Sequence, residues 1–100
     1  MVNKVSFGSL YYDYGKTSAA IAEKFVQNKN LRREVKVSSV INHADAQEIT
    51  PRRLYHGLPD GELEIRSRIK DNKLKARAHE RQLMEIIKKE FGIEPFHISN

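Results

Sequence analysis

Apolar and polar residues repeat along this chain with two different periods, and the switches between them mark out its elements. Val5 and Phe7 alternate with Lys4 and Ser6, so residues 4–11 predict a strand buried on one side. Asp13-Tyr14-Gly15-Lys16 is turn chemistry, and Thr17 or Ser18 stands where a helix cap belongs. In the helix that follows, Ile21, Ala22, Phe25 and Val26 share one side, while Glu23 and Gln27 share the other. Asn28-Lys29-Asn30 ends it. Residues 34–41 predict a second strand, with Val35, Val37 and Ile41 facing one way and Lys36 and Ser38 the other.

Residues 42–61 show no period. Within them Thr50-Pro51 reads as the cap and first position of a short helical turn through Leu54. Pro59-Asp60-Gly61 reads as a turn, combining a fixed φ, a side chain that bonds its own backbone and a residue free to take positive φ. Residues 62–70 then alternate strictly: Leu63, Ile65 and Ile69 against Glu62, Glu64, Arg66, Arg68 and Lys70. This predicts a strand with one face to water, on which an acidic residue at position 65 unfolds the domain and one at position 66 is tolerated. Asp71 or Asn72 begins a long helix that reaches Phe91, with Ala76, Leu83, Ile86 and Ile87 as its buried stripe and Gly92 at its C-terminal cap. Residues 94–99 predict a last short strand with Phe96 and Ile98 inward.

The order β-α-β-β-α-β predicts a ferredoxin-like α+β domain covering residues 1–100, with a four-stranded antiparallel sheet and two helices on one face. At 100 residues the chain is one domain's worth. It has no cysteine, which excludes disulfides, thiolate catalysis and cysteine-ligated zinc. No stretch approaches the roughly 18 apolar residues of a membrane span. The opening Met1-Val2-Asn3-Lys4 lacks a signal peptide's pattern, so the expected location is cytoplasmic, with no membrane partner.

Net charge changes the picture more. At +5 with a pI near 9.6, the chain favours phosphate polymers or an acidic protein surface. Val5-Ser6-Phe7-Gly8-Ser9-Leu10 resembles the first-strand signature of the RNA-recognition motif, and the expected topology agrees with that family. The resemblance implies contact with single-stranded RNA across the sheet. Ser6 stands where the family carries a stacking aromatic, and residues 62–69 lack its aromatic-glycine pattern. Backbone contacts from cations would therefore have to replace base stacking.

Lys36, Arg66 and Arg68 are expected on the exposed sheet face, with Arg52 and Arg53 in the loop, as the nucleic-acid-binding residues. Arg77, Arg81 and Lys88 line up along the second helix, but Arg81, Glu85 and Lys89 have the spacing of an ordinary solvated face. Tyr11, Tyr12 and Tyr14 cluster at the end of the first strand, as interface residues or as a cover for the core. Gly15-Lys16-Thr17 suggests a phosphate loop, but Leu10 occupies the place of its first glycine. His43, Asp45 and His56 mark the one stretch where a hydrolytic or metal site can be drawn, and turn capping explains them as well. The chain is thus read as a binding module, not an enzyme, with no cofactor and no metal. Docking on or inhibiting a larger macromolecule, in the manner of small phage or mobile-element domains, is the alternative, and a homodimer stays open.

Overall fold

Five strands form among residues 8–13, 15–41, 45–57 and 61–99, which the computed structural model describes. In chain order the elements are β1 (Ser9–Tyr12), α1 (Lys16–Gln27), α2 (Lys29–Glu34), β2 (Val35–Ile41), β3 (Asp45–Glu48), α3 (Pro51–Tyr55), β4 (Glu62–Ser67), α4 (Lys73–Phe91) and β5 (His97–Ser99). Neighbouring strands are all antiparallel, and their order across the sheet is β3-β2-β4-β1-β5. The fold is α+β, as expected, but the sheet has five strands and not four. The added strand is β3, at one edge. Its sequence, Asp45-Ala46-Gln47-Glu48, has no apolar alternation because its side chains are exposed or only partly buried, so no period marks it. The expected first strand began at residue 4; residues 4–7 lie outside the described ones.

Two helix starts also differ from expectation. Helix α1 begins at Lys16, with Gly15 in the cap position, and no side chain caps it. Thr17 and Ser18 therefore lie inside the helix, and the Ser18 hydroxyl donates back to the Asp13 carbonyl. Asn28 ends α1 but also begins α2, because its side-chain oxygen accepts from the amides of Asn30 at 3.0 Å and Leu31 at 3.1 Å. Helix α4 follows the sequence closely. Asn72 caps it through the Lys75 amide, and Gly92 takes φ 71° just past its end, where its N–H reaches the Lys88 carbonyl.

One face of the sheet carries the core. Leu10 and Tyr12 from β1, Val35 and Val37 from β2, and Leu63 and Ile65 from β4 meet Ile21, Phe25 and Val26 of α1 and Leu83 and Ile87 of α4. Full burial of each aliphatic side chain contributes about 1.5–3 kcal/mol. Ile49, just after β3, joins this cluster, and Leu54 of α3 packs against it, so the short helix is anchored to the body. The expected stripe on α4 is narrower than predicted, since Ile86 is 41% exposed. Phe96 and Ile98 are not inward either: both are about half exposed, because β5 is an edge strand. Among the described residues no helix is long and apolar enough to cross a membrane.

Candidate nucleic-acid interface

The strand registers align one row of polar residues across all five strands. Ser38 stands opposite both Glu48 and Glu64, Glu64 opposite Tyr11, and Tyr11 opposite His97. Paired residues share a face, so the row lies on the side away from Val37 and Ile65. Beside it, Lys36 stands opposite Arg66. Lys36 and Arg66 thus share the polar face, which is not simply solvated.

Glu64 is only 4% exposed and Ser38 only 1%. The Tyr11 hydroxyl donates to Glu64 Oε2 at 3.0 Å, and Arg66 Nη2 donates to the same oxygen at 3.1 Å. Arg66 Nε also donates to Ser9 Oγ at 3.1 Å. Burial, followed by the Glu64 carboxylate, raises the Tyr11 hydroxyl above its ordinary value. The two adjacent tyrosines thus part company: Tyr11 serves the polar face, while Tyr12 enters the core at 1% exposure. Tyr14 lies outside the described residues.

Glu48 meets two more of the predicted cations, Arg68 and Arg53. Arg68 Nη2 donates to its carboxylate at 2.6 Å, and Arg68 Nε donates to the Arg32 carbonyl at 2.8 Å. Arg53 Nη1 donates to the Glu48 backbone carbonyl at 3.5 Å, while its Nη2 reaches Gln47 Oε1 at 2.6 Å. The Ile49 amide bonds the Val37 carbonyl at 2.8 Å, so the chain stays beside β2 until Thr50 caps α3 through the Arg53 amide. Helix α3 lies beside α1, with Leu54 against the core, so it belongs to the helix-covered side of the sheet. Arg52 projects from α3 as an exposed side chain.

Lys36 and Arg66 thus share the sheet face away from the core, Arg68 and Arg53 meet at Glu48 on the β3 edge, and Arg52 is an exposed side chain of α3. Among the described contacts, Glu64 meets Arg66 and Glu48 meets Arg68. Sequence reasoning missed Arg33, which lines a recess with Glu34, Arg68, Ile69 and His79. It also missed Tyr55, which is 87% exposed at the end of α3. The signal for Arg33 is Asn28, whose side chain starts α2 as well as standing at the end of α1. The signal for Tyr55 was its place directly after two arginines and Leu54.

The other sequence candidates are not drawn together. His43 lies outside the described residues, and the His56 ring meets Tyr55 edge-on, with centroids 5.3 Å apart. Among the described residues no group of three or more His, Asp or Glu is placed to hold a metal ion. His79 Nδ1 bonds Ser67 Oγ at 2.6 Å, but that hydroxyl is buried and accepts the Ile69 amide, so the pair holds β4 to α4. In comparisons with protein families, curated proteins and solved structures, nothing matches this chain.

Proposed function

We propose that this protein is a small basic module that binds nucleic acid through the cations of its open sheet face and of the edge at Glu48. The observation that carries the proposal is the pairing of Lys36 with Arg66 on the open sheet face and the meeting of Arg68 and Arg53 at Glu48 on its edge, with Arg52 exposed on the adjoining α3. Preorganisation favours this use. Arg68 is held by Arg32 and Glu48, and Arg53 by Gln47 and Glu48, so their guanidinium planes lose little freedom on meeting a phosphate. The scaffold is read as ferredoxin-like with β3 added at its edge, since without β3 the strand order is β2-β4-β1-β5. The assumed compartment is the cytoplasm.

A titration of labelled single-stranded RNA and of duplex DNA at about 50 and 200 mM salt tests the proposal, because phosphate contacts make affinity fall steeply with salt. Micromolar binding that weakens with salt is the expected result. Absence of binding to either polymer at the lower salt would sink the reading. Docking on an acidic protein surface is the second reading, favoured by Phe96 and Ile98, half exposed along the β5 edge.

A further inference from the structure

We infer that α3 presents a stacking platform for an unpaired base, with Tyr55 as the platform and Arg52 as its phosphate contact. The inference rests on the nucleic-acid reading above and narrows its substrate class to single strands. Tyr55 is 87% exposed, far more than any other aromatic residue among those described. Its ring is not idle cover for the core, because Leu54 fills that role from the adjacent position. Among the described residues the ring packed on it is His56, at an interplanar angle of 82°, and an edge-on neighbour leaves Tyr55 with an open face. Arg52 precedes Tyr55 by three residues on the same helix and is exposed, so the two side chains are neighbours on one surface. The helix contains no acidic residue to repel a phosphate.

An open aromatic face beside a guanidinium is the pairing that single-strand binders use, since every base has a face to stack and every nucleotide a phosphate to hold. A duplex keeps its bases stacked on one another and offers Tyr55 nothing but its grooves. On the sheet face the Tyr11 ring already packs against His97 and Phe96, with centroids 5.5 and 6.5 Å away, and its hydroxyl is held by Glu64. Stacking is therefore delegated to the corner, while the sheet and its arginines hold the backbone.

The chain has no tryptophan, so Tyr55→Trp introduces a single reporter at the platform. Three oligonucleotides are titrated against it: a single-stranded RNA, the same strand with abasic positions, and a duplex DNA. The inference expects strong quenching by the intact single strand and little by the other two. It also expects Tyr55→Ala to weaken single-strand binding about tenfold while Tyr55→Phe retains most of it. Position 55 is exposed, so these variants fold. If duplex and single strand bind equally and Tyr55→Ala changes neither, the platform is wrong and the nucleic-acid reading survives. If no oligonucleotide binds the wild type, both fail together.

Discussion

Arg68 and Glu48 are held 2.6 Å apart, Nη2 to Oε2, joining the end of β4 to the edge strand β3 across β2. Both side chains are about one-third exposed, so the pair contributes at most about 1 kcal/mol to stability. Its larger effect is electrostatic, for the Glu48 carboxylate faces Arg68 and lies one residue from the Gln47 that holds Arg53. Glu48→Gln should therefore tighten binding to an anionic polymer several-fold with only a small loss in melting temperature. Anisotropy titration beside a thermal melt measures both. Weaker binding by the variant would mean that Glu48 positions Arg68 more than it neutralises it.

Arg66 behaves differently from its sequence expectation. Alternation marked it as a surface residue that tolerates an acid, but its guanidinium serves Glu64, whose side chain is 5% exposed. Removing Arg66 leaves a nearly buried carboxylate with the Tyr11 hydroxyl and costs about 1–3 kcal/mol. Ile65, fully buried, remains the more sensitive position. Urea melts should rank Ile65→Asp as unfolded, Arg66→Ala as clearly destabilised and Lys36→Ala as near wild type. An Arg66→Ala protein as stable as wild type would show that the Glu64 pairing contributes nothing.

Glu80 of α4 lies 6% exposed at the end of the sheet. Its Oε2 accepts the Ser67 amide at 3.3 Å, and a methyl on Gly8 would lie 2.7 Å from its Oε1. Burial pushes its pKa above the ordinary 4.5, partly offset by the Ser67 hydrogen bond and by Arg66 and Arg77. A raised carboxyl means that the folded state holds this proton more tightly than the unfolded state does. Its contribution to stability is thus greatest below about pH 4.5 and is lost as pH rises through the folded value. Glu80→Gln removes this loss while keeping an acceptor for Ser67. The melting temperature of the variant relative to wild type should therefore rise as pH increases above 4.5. Parallel curves for the two proteins would contradict the assignment.

The elements with a strong apolar period were legible in the sequence: α1, β2, β4 and α4 all lie where Phe25, Val37, Ile65 and Leu83 pointed. What was not legible has physical causes. Strand β3 is polar and held by pairing with β2, so its residues carry no burial signal. Helix α2 hid behind Asn28, whose side chain suits a stop and a start equally well. Strand alternation puts Lys36, Arg66 and Arg68 on one face, but their partners depend on neighbours far apart in sequence, as Arg68 and Glu48 are. Tyr55 was passed over because exposure is a property of the folded surface.

The central claim is that the surface around Glu48 holds the anionic partner. Lys36→Ala with Arg52→Ala tests it most directly, since neither side chain is a tie within the described hydrogen-bond network of β3, β4 and α3. Labelled single-stranded RNA is titrated at two salt concentrations against the wild type, this pair and the control pair Arg77→Ala with Arg81→Ala on α4. The account predicts a loss of tenfold or more for the first pair, about 1.4 kcal/mol, with a shallower salt dependence, and little change for the control. A neutral first pair with a critical helix pair would put the binding face on the opposite side of the molecule.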